Sequence, residues 1–217
     1  MTLAIFDLDN TLLDGDSDYG WGQFLVKKNY VDPVQYEAAN VEFFRQYQKG
    51  ELDIYEYCAF SFKPLAERSM DELQALHREF METIVRPMIT QKARDLVEQH
   101  RQQGHILLVM TSTNSFITRP IALEFGIEHL LATEPKIIDG RYTTEVDGIP
   151  CFHEGKVKRL ELWLRSTGYS LSGSWFYSDS MNDLPLLEKV DHAVAVDPDE
   201  KLAQVAKKRG WKIISLR

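Results

Sequence analysis

The sequence has few cysteines and no long apolar run, and both absences narrow what the protein can be. Its two cysteines, Cys58 and Cys151, are far apart and lack the spacing of a metal-binding motif. We expect reduced thiols and no disulfide framework, which favours a cytoplasmic protein. No stretch approaches the roughly 20 apolar residues of a membrane span. The N-terminus also lacks the charged region of a signal peptide, so neither a membrane protein nor a secreted one is expected.

Positive charge is also scarce. The chain has 25 Lys and Arg against 33 Asp and Glu, which gives a formal net charge of -8. Because proteins bind nucleic acids through basic patches, this balance argues against a nucleic-acid partner and favours a small-molecule substrate. With 217 residues, of which 44% are hydrophobic, the chain is long enough to bury one core and to carry an appended segment.

The chain begins with an apolar run that breaks directly into acidic residues. Leu3–Phe6 are apolar, and Asp7, Asp9 and Thr11 follow at once. This pattern predicts a buried strand that ends at a polar site. Two acids separated by one residue can face the same crevice there and share a divalent cation. The alternative interpretation is that they only cap a turn.

Residues 14–88 show almost no strand pattern. Aromatic-rich helical patterns predict helices at about 18–29, 33–49, 53–62 and 69–85. The start signals are Asp32 as N-cap before Pro33 and Ser69 with Glu72 as a capping box. For the first helix, Ser17 or Asp18 is the expected N-cap. The segment is therefore predicted to be an all-helical insertion.

From residue 90 onward, helical and strand patterns alternate. Helices are predicted at about 90–103, 116–125, 155–165 and 182–189, and strands at about 106–110, 130–131, 175–177, 193–196 and 212–215. A hairpin is expected at 137–142, and Asp197 is expected to cap the last helix.

Such alternation predicts an α/β fold with a Rossmann-like, doubly wound parallel sheet that is covered by helices on both faces. We expect a core domain of residues 1–13 and 89–217, with residues 14–88 as its helical cap.

Three of the predicted strands end in polar clusters. These clusters are Asp7 with Asp9, the run 111–114, and the run 178–183, and Lys156 follows near a helix start. Ligands of open α/β sheets bind outside the carboxyl ends of the strands, so these groups are expected to meet. Taken singly, each has an ordinary interpretation as a helix cap or a solvated lysine. Their coincidence at one edge favours a functional site.

The four motifs, in this order, resemble those of haloacid dehalogenase superfamily phosphatases. They are Asp7-Leu8-Asp9-Asn10-Thr11, Thr111, Lys156 and the run from Asp179 to Asp183. The helical insertion resembles the cap of the branch that contains phosphoserine phosphatases. This resemblance covers the whole chain and implies an enzyme that hydrolyses a small phosphomonoester.

The resemblance also implies a mechanism. Asp7 would be the nucleophile and would form an aspartyl phosphate. Mg²⁺ would be held by the carboxylate of Asp7, the backbone carbonyl of Asp9 and the side chain of Asp179. Asp9 would protonate the leaving alcohol and then deprotonate the attacking water.

Other residues of the motifs would bind the phosphate or support the centre. Thr111, the amide of Ser112 and Lys156 would contact phosphate oxygens. Asp183 would orient Lys156 or a water on the metal, and Thr11 would fix the loop that carries Asp9. Asn182 is expected beside Asp183 in the same supporting layer.

The substrate is expected to be decided by the cap. Asp16 lies where phosphoserine phosphatases place a glutamate that meets the substrate amine. Together with Asp18, Tyr19 and Trp21 it would suit histidinol phosphate, which carries an amine and an imidazole but no carboxylate. The alternative interpretation of Trp21, and the one favoured for Phe24, Phe43 and Phe44, is that they form the core of the cap. The whole sequence also resembles proteobacterial members of this branch that are assigned as histidinol-phosphatases.

Several alternatives stay open from the sequence. One is phosphoserine or another small amino-alcohol phosphate, although no arginine of the cap can be placed against a substrate carboxylate. Another, from a different class, is a phosphate-sensing module that resembles a receiver domain. A third is phosphotransfer to an acceptor other than water.

Overall fold

The computed structural model describes residues 1–217, with the side chain of Gln48 left outside the description. The strands are β1 (Leu3–Phe6), β2 (Ile106–Asn114), β3 (His129–Thr133), β4 (Pro135–Ile138), β5 (Arg141–Val146), β6 (Trp175–Ser178), β7 (His192–Val196) and β8 (Lys212–Ile214). Six of them form one sheet in the order β3-β2-β1-β6-β7-β8 with parallel neighbours. The chain leaves β1 toward one edge and returns to fill the other, so the strand order switches between β1 and β6.

Strand β1 is the centre of the sheet. Ala4 and Phe6 belong to the core cluster on one face, whereas Leu3 and Ile5 belong to the cluster on the other. A strand that is buried on both faces needs apolar residues at consecutive positions, which explains the unbroken run in the sequence. The predicted Rossmann-like α/β fold is confirmed.

The insertion between β1 and β2 is helical. It contains α1 (Ser17–Lys27), α2 (Pro33–Lys49), α3 (Ile54–Ala66) and α4 (Met70–Phe80), and α4 continues through a π-type turn (Met81–Val85) into Arg86–Met88. Asp32 and Ser69 cap α2 and α4 as predicted. The prediction for α1 was wrong, because Asp16 is its N-cap and accepts the amides of Asp18 and Tyr19.

The core helices are α5 (Gln91–Gln102), α6 (Ser115–Glu124), α7 (Glu154–Thr167), α8 (Leu184–Leu187) and α9 (Glu200–Arg209). Buried residues of α5 and α6 join one core cluster, and those of α7 and α9 join the other. The sheet is therefore covered by helices on both faces, as predicted.

The chain crosses between core and insertion at two adjacent points. Leu13 and Ile89 form an isolated antiparallel bridge, and the amide of Asp14 donates to the carbonyl of Met88 at 2.8 Å. Pro87 lies within the last helical turn before the second crossing. The division into residues 1–13 with 89–217 and residues 14–88 stays a prediction.

The prediction for the last helix was wrong at its start. Asp199, not Asp197, is the N-cap of α9 and accepts the amide of Leu202 at 2.8 Å. Asp197 adopts a φ of 40° and accepts the amide of Leu216 at 2.9 Å. Aspartate tolerates this left-handed conformation better than most residues.

Two further boundaries differ from the predictions in ways that affect the site. Strand β2 continues to Asn114 instead of ending at 110, so its last residues reach beyond the apolar core. The predicted helix at 182–189 is a 3₁₀ turn (Met181–Asp183) followed by the short α8. Among the described residues, no helix is long and apolar enough to cross a membrane; the cytoplasmic location stays a prediction.

Candidate active site

A cavity of about 670 Å³ opens at the carboxyl ends of β1, β2 and β6, where the strand order switches. The core supplies its floor and the helical insertion supplies its opposite wall. The predicted site residues that line it are Asp7, Asp9, Asp16, Asp18, Tyr19, Thr111, Ser112, Lys156, Asp179, Asn182 and Asp183. The fold therefore brings together motifs that lie far apart in the sequence.

The loop after β1 (Leu8–Leu12) turns sharply enough to present its acids to the cavity. Asn10 has a φ of 57°, a left-handed conformation that asparagine tolerates. Thr11 is buried behind the loop, and its Oγ1 lies 3.3 Å from Asp7 Oδ2 and 3.1 Å from Asp179 Oδ1. It also accepts the amide of Asp179 at 3.1 Å. One hydroxyl thus joins the ends of β1 and β6.

Lys156 is the cation at the floor of the cavity. Its Nζ lies 2.8 Å from Asp7 Oδ1 and 2.8 Å from Asp183 Oδ1, and its side chain is 4% exposed. Ser178 Oγ donates to Asp183 Oδ2 at 2.7 Å. Burial opposes the charged lysine, but Asp183 and Asp7 outweigh burial and raise the pKa of Lys156. The amine therefore stays protonated at neutral pH.

Gly155 allows Lys156 to occupy this position. A Cβ on residue 155 would lie 2.1 Å from the carbonyl oxygen of Pro150, a separation that no side chain tolerates. The close approach of two backbone segments therefore requires glycine. It sets the start of α7, whose first turn carries Lys156 into the core.

Asp9 is held on the cap side of the cavity. One of its oxygens accepts the Ser17 amide at 2.6 Å, and the other accepts Thr113 Oγ1 at 2.8 Å, with Thr111 Oγ1 at 3.5 Å. Burial raises the pKa of Asp9 to about 6, and the charge of Asp16 adds to the rise. A carboxyl group with such a pKa can both give and take a proton near neutral pH.

Thr113 was not among the predicted site residues. It was missed because β2 was predicted to stop before it. Alternate residues of a strand share a face, so the spacing from Thr111 was a usable signal. Asn114, the next residue, caps α6 by accepting the amide of Ile117 at 3.2 Å.

The floor holds more carboxylates than cations. Burial raises the pKa of Asp179 to about 8, with Asp7 and Asp183 adding to the rise. Burial also raises the pKa of Asp7 to about 7, against the opposing attraction of Lys156. Such a surplus of negative charge among hard oxygen donors fits a divalent cation.

The ligands of that cation would be few. Among the described residues, no group of three or more His, Cys, Asp and Glu is arranged to hold a metal ion. The fitting set is therefore the carboxylates of Asp7 and Asp179 completed by backbone and water oxygens. The backbone carbonyl of Asp9 as a third ligand stays a prediction.

The loop after β6 is fastened by a residue that the sequence analysis missed. Asp199 accepts the amide of Met181 at 2.7 Å, and its own amide donates to the carbonyl of Asp179 at 2.9 Å. Asn182 lies inside this loop, with its amide donating to Ser180 Oγ at 3.2 Å. Placing the last helix cap at Asp197 had concealed this contact.

The acidic residues of the cap face the same cavity. Asp16 Oδ1 accepts the amides of Asp18 and Tyr19, both at 2.9 Å, and its side chain is reached from the cavity. Enclosure by the cavity walls raises the pKa of Asp16 to about 6, and the charge of Asp18 raises it further. Tyr19 is 53% exposed at the cavity mouth.

Trp21 does not line the cavity, so its place in the substrate wall is wrong and its alternative interpretation as a core residue is confirmed. Its side chain is 2% exposed and packs edge-on against Phe80 and Phe116, with ring centroids 5.1 and 5.4 Å away. It lies on the buried face of α1 instead of the face toward the cavity. The aromatic residues that do line the wall were missed: Phe43, Phe44, Tyr47, Tyr57 and Phe152.

The arginines considered for a substrate carboxylate lie elsewhere. Arg45 pairs with the exposed Glu42 on its own helix, and Arg68 donates to backbone carbonyls. Arg86 pairs with glutamates near the second crossing, and Arg78 lines a separate cavity. Among the described lining residues of the candidate site, Lys156 is the only Lys or Arg.

Comparison with known proteins shows the family to which the chain belongs. The family model described as haloacid dehalogenase-like hydrolase matches residues 4–188. A histidinol-phosphatase of Neisseria meningitidis is 46% identical over 219 residues, which cover 99% of each chain. Phosphoserine phosphatase SerB1 of Mycobacterium tuberculosis is 30% identical over 217 residues, which cover 99% of this chain and 70% of the relative.

Solved structures resemble the whole fold. The crystal structure of a protein with unknown function from Bordetella pertussis has a TM-score of 0.94 and 44% sequence identity, with complete coverage of both chains. A substrate-bound phosphoserine phosphatase complex has a TM-score of 0.70 and covers 100% of this chain and 93% of its own. Its 16% identity means that the likeness concerns the fold alone.

Proposed function

The chain belongs to the haloacid dehalogenase-like hydrolases, and on this premise we propose that it is a phosphatase that hydrolyses histidinol phosphate to histidinol. The reaction would use Mg²⁺ and an aspartyl phosphate on Asp7. The observation that supports the reaction class most strongly is the buried Lys156, which lies 2.8 Å from Asp7 at the floor of a cavity.

The floor residues would have different roles in the reaction. A carboxylate oxygen of Asp7 would attack the phosphorus, while Lys156 offsets negative charge on the phosphate oxygens. Thr111 and the amide of Ser112 would donate hydrogen bonds to those oxygens. When bound, Mg²⁺ would neutralise the repulsion between Asp7 and the phosphate.

Asp9 would carry the protons. In the first step its carboxyl group would protonate the oxygen of the leaving alcohol. In the second step it would deprotonate the water that attacks the phosphorus of the aspartyl phosphate. Its contacts with Ser17 and Thr113 hold the carboxylate in one orientation for both steps.

The wall of the cavity favours histidinol phosphate over phosphoserine. Phosphoserine has a carboxylate that needs a cationic partner, and Lys156 is already paired with Asp7 and Asp183. Histidinol phosphate has no carboxylate and two nitrogen-containing groups, which suit an acidic and aromatic wall. We expect Asp16 to bind the amine of the substrate.

The proposal is tested by phosphate release with Mg²⁺ from histidinol phosphate and from phosphoserine, with Asp7→Asn as the blank. We expect turnover of histidinol phosphate to exceed that of phosphoserine and the blank to be inactive. Preference for phosphoserine would contradict the proposed substrate. Activity that survives in Asp7→Asn would contradict the nucleophile.

The receiver-like alternative predicts a different lifetime. A sensing module keeps its aspartyl phosphate for minutes, whereas a phosphatase hydrolyses it within one turnover. Rapid-quench measurement of the phosphorylated protein distinguishes the two. Adding alcohols as acceptors in the same experiment tests for phosphotransfer to a group other than water.

A further inference from the structure

Asp18 is a half-buried carboxylate that faces the candidate cavity without a protein cation beside it. Its described hydrogen-bond partners are two hydroxyl groups from α3: Tyr57 donates to Oδ2, and Ser61 Oγ donates to Oδ1 across 3.4 Å. Lys156, the only lining Lys or Arg that the structure describes, is paired with other acids. Two neutral donors orient the carboxylate without neutralising it.

The hydroxyl donor Tyr57 is held in one protonation state and packed in place. Burial and the charge of Asp18 raise the pKa of Tyr57 well above its usual range, so the phenol stays a donor at any physiological pH. Phe43 packs edge-on against Tyr57 with ring centroids 5.3 Å apart. Both rings line the cavity beside Asp18. A carboxylate next to aromatic rings is the environment that binds a planar cation.

Asp16 and Asp18 are anchored differently. Asp16 is tied to the backbone of its own helix, whereas Asp18 is bound to side chains of α3. The wall therefore holds Asp16 and Asp18 in separate surroundings, and each can receive its own cationic group; the third acid of the wall, Glu37, accepts the side-chain amide of Gln23 at 3.2 Å. Histidinol phosphate carries an amine and an imidazole, and because the usual pKa of an imidazole is about 6.5, a neighbouring carboxylate can hold it protonated.

We infer that Asp18, oriented by Tyr57 and Ser61, is the receptor for the heteroaromatic cation of the leaving group. This subsite would select an imidazole-bearing phosphomonoester over a simple amino-alcohol phosphate. Tyr57 and Ser61 are positioning residues because they act through Asp18. The inference rests on the proposed function and adds to it the residue that discriminates between substrates.

Three substrates distinguish binding of the amine from binding of the imidazole. Histidinol phosphate has the amine and the imidazole, phosphoethanolamine has only the amine, and p-nitrophenyl phosphate has neither. For Asp18→Asn we expect kcat/KM for histidinol phosphate to fall about 30-fold more than for the other two, mainly through KM. Asp16→Asn should instead impair both amine-bearing substrates.

Matched variants isolate the subsite from the fold. Tyr57→Phe removes only the hydroxyl group. Its kcat/KM for histidinol phosphate should also fall more than for the other two substrates, by about 5-fold instead of 30-fold. Asp14→Asn is the control, because this acid of the same loop is 51% exposed and pairs with Arg217 outside the cavity. It should leave all three substrates unaffected. Circular dichroism identifies any variant that fails to fold. If Asp18→Asn does not fold, the result for Tyr57→Phe decides the test.

The outcomes distinguish the inference from the proposed function. Equal losses on all three substrates in Asp18→Asn and Tyr57→Phe would overturn the inference while leaving the phosphatase intact. If the unaltered protein hydrolyses none of the three with Mg²⁺, the proposed function itself fails. A selective loss on histidinol phosphate supports both.

Discussion

The floor and the cap wall of the cavity are built in opposite ways. The floor consists of buried charges that hydrogen-bond to one another, with Lys156 only 4% exposed. The wall is formed largely by α2, none of whose described residues is buried. Val41 and Phe44 of α2 each remain 61% exposed although they line the cavity.

From this difference we expect the floor to carry out the reaction and the wall to select the substrate. A charged cluster in the core must be rigid, because each misplaced carboxylate leaves a charge unpaired at high free-energy cost. A wall with few buried contacts opens at low free-energy cost and can admit a substrate. Substitutions in the floor should therefore alter chemistry and stability, and substitutions in the wall should alter substrate affinity.

After Asp7→Asn, which should be inactive, the largest effect is expected from Asp9→Asn. Loss of the general acid and base should reduce turnover of an alkyl phosphate by about 10²- to 10⁴-fold. With p-nitrophenyl phosphate, whose leaving group needs no proton, the first step should persist and give a burst of one equivalent. Stopped-flow absorbance measures the burst. Thr113→Val, which removes one hydrogen-bond partner of Asp9, should show a weaker form of the same pattern. Absence of the burst with p-nitrophenyl phosphate in Asp9→Asn would contradict the role of Asp9 as the acid of the first step.

The next largest effect is expected from Lys156→Met, which removes the positive charge at the floor. Without the amine, Asp7 and Asp183 would be buried without a counter-charge, and we expect a loss of about 3 kcal/mol in the free energy of unfolding. Urea denaturation without metal measures the loss. Lys158→Met, an exposed position on the same helix, should stay within about 0.5 kcal/mol. A loss below about 1 kcal/mol for Lys156→Met would mean that the floor tolerates unpaired acids.

Alanine substitutions at two glycines compare how tightly the floor and the insertion are packed. In Gly155→Ala the new methyl group would meet the Pro150 carbonyl oxygen at 2.1 Å, whereas in Gly20→Ala it would meet the Ile84 side chain at 3.1 Å. We expect the first to cost about 2 kcal/mol and the second less than about 1 kcal/mol, since alanine also favours the helix. Thermal unfolding of both variants measures the contrast. Equal costs would contradict the tight packing assigned to the start of α7.

Acid should weaken the core in a defined range. Burial lowers the pKa of His100 to about 4, and its nitrogens contact Tyr177 Oη at 2.8 Å and His105 Nδ1 at 2.7 Å. Because the unfolded chain binds this proton near pH 6.5, stability is present above that pH and is lost as pH falls toward 4. The loss is about 3 kcal/mol.

The contribution of His100 is isolated by comparing stability curves. The difference in unfolding free energy between the unaltered protein and His100→Gln should diminish as the pH falls from 6.5 to 4. A constant difference would contradict the lowered pKa. The acids of the cavity should respond in the opposite sense, in the wall as well as in the floor. Burial raises the pKa values of Asp18 and Asp9 to about 6, so protonation of these groups favours the folded state as the pH falls through that range.

The smallest effect on stability is expected from Phe44→Ala. Since this side chain is 61% exposed, its removal should change the unfolding free energy by less than about 0.5 kcal/mol. It lines the cavity, however, so KM for histidinol phosphate should rise about 3-fold. Tyr55→Ala, which removes a 58% exposed ring elsewhere on the insertion, is the matched control. Equal KM values for the two variants would contradict a role of α2 in binding.

The prediction of the floor from sequence succeeded wherever polar residues follow an apolar strand. The runs that begin at Asp7, Thr111 and Asp179 are local signals, and a parallel sheet brings the carboxyl ends of its strands to one edge. The roles of these residues stay predictions, but their meeting in one cavity follows from the pattern. Helix caps such as Asp32 were predicted for the same local reason.

The prediction of the wall was less successful. Trp21 and Phe44 are both aromatic residues of amphipathic helices, yet one is buried and the other faces the cavity. Helical spacing identifies residues that share a face but not what that face contacts. The contact of Tyr57 with Asp18 joins α3 to α1, and no local pattern indicates it.

The sequence by itself determined the α/β class, the parallel sheet and the acids at its edge, because apolar periodicity and capping are local. Only the tertiary structure decided that Thr113 holds Asp9, that Asp199 fastens the loop of Asp179, and that aromatic residues of α2 line the substrate wall. Such contacts join segments far apart in the chain. They depend on how whole elements pack, and side-chain spacing within one element does not encode that packing.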